Sequence, residues 1–264
     1  MLVHGEKPDK ADYLFVESTY GDRLHPEIST EEVLKKVVET ALGNHGPLIV
    51  SSFSVDRAQD FMYAIWKLKE EGKIPNLPVY LDSPMGENVS RLFLKYPEWL
   101  SLDPGVFREV FKDTRLVTSV KETYHLAKDK SPKIIIAGSG MMNGGRILHY
   151  LEKQLGNPVA TFILPGYQAA GTRGRQLSEG GAEIKLHGHY FKVKATIEHI
   201  RTMSSHADQS ELISWMSEIK NKPKNVFIVH GEPHPADELR VKIQDKFGWN
   251  CKVPEMFEKV ILDF

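Results

Sequence analysis

The sequence predicts an α/β protein built on a mostly parallel sheet, and three observations carry that prediction. First, between residue 13 and about residue 165, β-rich runs alternate with amphipathic segments: "YLFVES", "PLIVSS", "PVYLDS", "KIIIAGS" and "VATFILPG". Second, "STEEVLKKVVETALG" carries complete helix grammar. Ser29 and Glu32 form a capping-box start, Val33, Leu34, Val37, Val38, Ala41 and Leu42 make an apolar stripe, and Gly43 is a stop. Third, the runs end in polar residues: Glu17-Ser18-Thr19, Ser51-Ser52, Asp82-Ser83 and Gly138-Ser139-Gly140. Parallel sheets gather ligands beyond the carboxyl ends of their strands, so the chemistry is expected on one edge.

A second helix is expected from about Asp56 to Gly72. Near residue 183 the grammar changes to "EIKLHGHYFKVKATIEHI", in which Phe191, Val193, Ala195 and Ile197 alternate with polar residues as in a half-exposed antiparallel strand. A domain boundary is placed there. A helix, "ADQSELISWMSEIK", a strand, "NVFIVH", and a helix from about Pro235 to Phe247 follow. The chain shows no internal repeat and no low-complexity tract.

With 264 residues and 41% hydrophobic content the chain can bury a substantial core. Its 34 basic and 35 acidic residues nearly cancel, so any nucleic-acid surface must be local. A single cysteine, Cys251, excludes an intramolecular disulfide and a cysteine-only zinc knuckle. That usage fits a reducing compartment, and a cytoplasmic protein is expected. No apolar run approaches the roughly 20 residues of a membrane span, and "MLVHGEKPDK" lacks a signal-peptide core, so neither membrane insertion nor secretion is expected.

Several residues are candidates for chemistry. In "MSSHADQSELISWM", His206 stands at a helix entrance with Ser205 as expected N-cap and Asp208 three positions on. A helix N-terminus disfavours imidazolium, so His206 would need a carboxylate to keep a proton for use as a general acid, and Glu17 is a candidate partner. His230 ends an apolar strand before a glycine, a position suited either to a metal ligand or to a hydrogen-bonded structural residue. Two glycine-rich turns, "AGSGMMNGGRILHYL" and "GYQAAGTRGRQL", could cradle phosphate or simply be solvated loops. The first fits neither the Walker pattern nor the complete dinucleotide fingerprint. Thr172, Arg173 and Arg175 could bind a phosphodiester backbone. His187 and His189 look like a metal pair but lack acidic and third-histidine partners, and Cys251 lacks a local base. His4, in "LVHGE", echoes residues 229–232 by chance.

Taken in order, "ESTYGDR", "SSFSVDRAQDFMYAI", "LDSPMG", "GSGMMNGGRILHYL", "GYQAAGTRGR", "SSHADQSELISWM" and "VHGEP" resemble the beta-CASP branch of the metallo-beta-lactamase fold, across nearly the whole chain. The forms here look closest to prokaryotic RNA-processing enzymes, and the nuclease subunit of the eukaryotic cleavage and polyadenylation factor is another relative. The resemblance implies a parallel-sheet, Rossmann-like beta-CASP domain over residues 25–182. It assigns residues 1–24 and 183–264 to the later part of a metallo-beta-lactamase αββα sandwich. It further implies that Glu17 supports His206, which protonates the leaving oxygen, and that His230 binds one of two zinc ions. Ser83, Ser139, Gly140, Thr172 and Arg175 become candidates for contacts with single-stranded RNA.

In that family an "HxHxDH" signature, an additional histidine and a bridging aspartate lie ahead of "ESTYG", and almost no sequence precedes it here. The sequence is therefore expected to be the later part of a zinc-dependent ribonuclease: a truncated product, one half of a split gene or a misread start. Alone it is expected to retain no zinc, to be inactive, and to associate with itself or with the missing half. A noncatalytic RNA-binding or assembly module is the alternative, and a nucleotide-binding enzyme built around "GSGMMNGG" ranks below both.

Overall fold

In the computed structural model, which describes residues 1–3 and 5–263, strands and helices alternate as the sequence suggests; His4 lies outside the described residues. The first half contains β1 (Tyr13–Glu17), α1 (Thr30–Gly43), β2 (Leu48–Ser51), α2 (Arg57–Glu70), β3 (Val79–Asp82), α3 (Pro84–Lys95), α4 (Pro104–Asp113), β4 (Thr114–Leu116) and α5 (Val120–Lys128). The second contains β5 (Ile134–Ala137), α6 (Ile147–Gln154), β6 (Thr161–Pro165), α7 (Arg173–Ser178), β7 (Glu183–Leu186), β8 (His189–Lys192), β9 (Thr196–Ile200), α8 (Gln209–Met216), β10 (Asn225–Val229), α9 (Pro233–Phe247) and β11 (Cys251–Lys252). Contacts group these elements into two units, residues 1–3 with 27–205, and residues 5–26 with 206–263.

The first unit is organised by a six-stranded sheet, ordered β4-β3-β5-β2-β6-β9, in which every pair is parallel. Its central strands are buried along their whole length because helices cover both faces. Leu48 and Val50 of β2 and Ile134 and Ile136 of β5 pack with α1 to α4, whereas Ile49, Ile135 and Phe162 pack with α5 and α6 on the opposite side. Helix starts follow local capping chemistry: Ser83 Oγ accepts from Gly86 N and Thr172 Oγ1 from Arg175 N. Between α7 and β9, β7 and β8 form an antiparallel hairpin whose Ile184 and Leu186 are fully buried.

The second unit holds a three-stranded parallel sheet, ordered β1-β10-β11. Leu14, Val16, Val226 and Ile228 bury one face against α8 and α9. On the other face Phe15 is 60% exposed and stacks on Phe227 with ring centroids 4.9 Å apart.

Four sequence expectations need correction. Residues 13–17 pair with β10 and do not join the sheet built from the other four apolar runs. The alternation from Phe191 to Ile197 is not one antiparallel strand: Lys194 N and Ala195 N both donate to Leu155 O, which turns the chain away from the hairpin and lets β9 pair in parallel with β6. By contacts that pairing groups residues 183–205 with the first unit. Finally, α8 starts at Gln209 with Asp208 as N-cap, not Ser205, and α9 starts at Pro233.

Phe162 is fully buried on β6, an interior strand of the six-stranded sheet. Phe162→Ala should lower the unfolding free energy by about 3–5 kcal/mol in urea titrations.

Candidate active site and metal centre

The second unit brings three chemistry-bearing side chains together by strand register. Parallel pairing sets Glu17 opposite Val229, so Glu17 and His230 leave the sheet at adjacent strand ends. His230 adopts φ +58°, the left-handed region that a non-glycine residue occupies at a cost of roughly 1 kcal/mol. The next residue must be glycine for packing reasons: a Cβ on Gly231 would lie 2.2 Å from Ser18 Oγ and 2.7 Å from Ser18 O. Ser18 Oγ in turn donates to Val229 O at 2.9 Å, which ties the two strand ends together.

His206 arrives from the segment that leads into α8. Its Nδ1 lies 3.1 Å from Glu17 Oε1, and the second carboxylate oxygen accepts from Thr19 N at 3.0 Å. An ionised carboxylate only accepts, so this contact is a hydrogen bond when Nδ1 carries the proton. Burial pushes the Glu17 carboxyl up, but hydrogen bonds from His206 and from the Thr19 side chain and backbone outweigh it and bring the pKa down to about 2. Thr19 Oγ1 donates to His230 O at 3.2 Å and lies 3.3 Å from Nδ1 of both His206 and His230. The two imidazoles stack with centroids 5.3 Å apart.

Donor atoms of Glu17, His206 and His230 all lie within 4.8 Å of one another. Two imidazoles and a carboxylate are a zinc-competent donor set. Glu17 and His206 are engaged with each other, however, whereas His230 has the neutral Thr19 hydroxyl 3.3 Å from its Nδ1. Among the described residues this is the cluster of metal-capable groups; His187 sits in the hairpin turn, His189 opens β8, and Cys251 is half-buried with its thiol pushed up to about 11 by burial.

Two partners, His25 and Tyr20, went unassigned in the sequence, and a third, Asp208, was given a different place in the cap. His25 Nε2 lies 2.9 Å from His206 O, and His25 N donates to Asp208 Oδ2 at 2.8 Å. Asp208 closes a capping box with Glu211, accepting from Glu211 N at 2.9 Å, and so anchors both the helix start and the His25 loop. Tyr20 packs edge-on against His25 and His206 at 5.1 and 6.5 Å. The "RLHP" turn offered no local signal for these long-range contacts.

The remaining candidates lie in the first unit and divide between two depressions. Strand ends of β2, β3 and β5 open on a cavity of 580 Å³ lined by Ser52, Phe53, Ser83, Ser139, Arg146 and His149 among others. Ser83 Oγ there bonds Ser54 Oγ at 2.9 Å, and Ser139 Oγ donates to Gly144 O at 3.3 Å. Asp82 is wholly buried beside them: Tyr150 Oη donates to Oδ2 at 2.7 Å, Arg146 Nε stands 3.6 Å from Oδ1, and burial raises its pKa. Gly140 is not among the lining residues: it is buried, and a Cβ there would lie 2.6 Å from the Phe53 ring. Thr172 and Arg175 line a second, polar depression of 620 Å³.

Comparison with known proteins gives two family matches, a Beta-Casp domain over residues 58–177 and a Zn-dependent metallo-hydrolase RNA specificity domain over residues 190–254. Transcription termination factor FttA of Pyrococcus abyssi is 31% identical over 268 residues, covering 96% of this chain and 41% of that protein. A ribonuclease of Thermus thermophilus is 31% identical over 232 residues, covering 85% and 52%. An RNase J-like protein of Methanocaldococcus jannaschii is 31% identical over 232 residues, covering 86% and 54%. The chain thus spans about half, or less, of the curated relatives it matches.

Two outcomes follow from the geometry. A carboxyl with a folded pKa near 2 contributes stability that is complete above its unfolded value of 4.5 and is lost as pH falls toward 2. The stability gap between wild type and Glu17→Gln should therefore narrow by on the order of 1–3 kcal/mol between about pH 6 and pH 2, measured by urea unfolding; a constant gap would refute the ionised pairing. Asp208→Ala should lose about 1–3 kcal/mol and speed amide exchange at His25, because it deletes the acceptor of both His25 N and Glu211 N.

Proposed function

Because this chain belongs to the beta-CASP family of metallo-beta-lactamase-fold RNA-processing nucleases, we propose that it supplies the acid half and the RNA groove of a zinc-dependent ribonuclease that hydrolyses RNA phosphodiester bonds. The observation that carries this reading is the convergence of Glu17, His206 and His230 at two adjacent strand ends.

In this reading Glu17 accepts from Nδ1 of His206, fixing the ring so that Nε2 can deliver a proton to the departing ribose oxygen. The Thr19 hydroxyl lies against the same ring, and His25 holds the His206 backbone through its carbonyl. His230 binds metal through its imidazole, and the remaining ligands come from the part of the relatives that this chain does not cover. Two zinc ions, when bound, supply Lewis acidity toward the scissile phosphate and lower the pKa of water. Ser83, Ser139, Thr172 and Arg175 contact the RNA, while Gly140, buried with its carbonyl accepting from Gln168 Nε2 at 3.1 Å, shapes the loop behind them. Zinc sites normally use about three or four protein ligands. With Glu17 and His206 spent on each other, the isolated chain keeps zinc weakly and is inactive.

The match to an RNA specificity domain also supports a second reading, a noncatalytic RNA-binding or assembly module. One experiment separates the two. The chain is assayed with zinc on 5′-labelled single-stranded RNA, alone and fused behind an "HxHxDH"-bearing segment from a relative. We expect salt-dependent binding without cleavage by the chain alone. We expect cleavage by the fusion, reduced about 100-fold or more by His206→Ala. Binding without cleavage in the fusion would favour the module. Zinc-dependent, His206-dependent cleavage by the chain alone would overturn its inactivity.

A further inference from the structure

The polar depression beside α7 does not end at Thr172 and Arg175. Its lining includes Arg173, Arg175 and Lys185 against a single carboxylate, Glu179, whose Oε1 already accepts from Arg175 Nε at 2.5 Å. In a chain with net charge −1 such an excess of cations is local. Arg173 joins this loop to the hairpin: its Nε donates to Lys185 O at 2.8 Å and its Nη1 to Asn143 O at 3.3 Å, while Gln176 Nε2 donates to Glu183 O at 2.9 Å. Loop and hairpin are thereby one continuous surface.

Side-chain alternation sets what the hairpin presents. Ile184 and Leu186 are wholly buried, so the neighbouring positions Lys185 and Glu183 and their cross-strand partners Tyr190 and Lys192 lie on the outer face. Tyr190 is 65% exposed, and Lys185 Nζ stands 5.5 Å from its ring centroid. An aromatic ring presented to solvent with Lys185 over it and Lys192 two residues along its own strand, beside a cationic trough, serves little purpose in packing. It matches the chemistry of single-stranded nucleic acid, whose unstacked bases lie on aromatic rings while cations hold the phosphates.

We propose that the outer face of the β7–β8 hairpin extends the polar depression into a binding surface for single-stranded RNA, in which Tyr190 stacks a base and Lys185, Lys192 and Arg173 face the backbone. The proposal rests on the RNA-directed reading above and adds a contact surface that the motifs do not mark.

Fluorescence anisotropy of the full chain with a fluorescein-labelled 12-nucleotide oligouridylate and with a duplex RNA of equal length tests it. Tyr190→Ala should weaken the single strand about tenfold with an unchanged salt slope, Tyr190→Phe should bind as wild type, and Lys185→Ala should lower the slope of log K against log salt by about 0.7. Duplex binding should be insensitive to Tyr190→Ala. If wild type binds the oligonucleotide and Tyr190→Ala binds it within twofold, the hairpin surface is wrong and the ribonuclease reading stands. If wild type binds neither RNA, both fall.

Discussion

The register between β1 and β10 is the constraint on which the candidate site depends. Five consecutive parallel pairs, from Tyr13–Asn225 to Glu17–Val229, bring two segments far apart in sequence to the same sheet end. A slip of one residue would turn Glu17 toward α8 and α9 and move His230 out of reach of Thr19. The seam is protected accordingly. Leu14, Val16, Val226 and Ile228 fill the buried face, Ser18 reaches across to Val229 O, and Gly231 alone lets the chain pass Ser18. The left-handed conformation of His230 is tolerated because these contacts over-determine it.

On that frame the polar groups sort by commitment. The Glu17 carboxylate is satisfied from two directions, by Thr19 N and by His206, and so stays ionised in a half-buried place where burial alone would favour protonation. Asp82 in the first unit is the opposite case: it is wholly buried, its nearest cation stands at 3.6 Å, and its carboxyl is pushed up. The first arrangement suits proton delivery from a neighbouring imidazole. The second suits a rigid floor for the cavity beyond β2, β3 and β5.

Much of this was legible in the sequence. Consecutive apolar residues in "PLIVSS", "KIIIAGS" and "VATFILPG" mark strands covered on both faces, and capping at Ser29 is written in local spacing. The motifs that resemble the beta-CASP family begin on strand ends and loops, where side chains are free for chemistry, and several run on into α2, α6 and α8. What was not legible is long-range. Ser205 and Asp208 each stand three residues before an acidic residue, and only His25 N and Ser210 Oγ, which both bond the Asp208 carboxylate, decide which of them caps α8. His25 itself carries no local signal, because its hydrogen-bond partners, Asp208 and the His206 carbonyl, lie far along the chain. Likewise the alternation from Phe191 to Ile197 could not reveal that Leu155 O redirects the backbone midway.

The central claim is that Glu17 holds a proton on Nδ1 of His206. Long-range proton–nitrogen correlation spectra of the histidine-labelled chain at neutral pH, with His206 assigned by its absence in His206→Ala, read that proton directly. The account predicts that Nδ1 of His206 is protonated in the wild-type chain. A spectrum in which Nδ1 is bare and Nε2 alone carries the proton would contradict it.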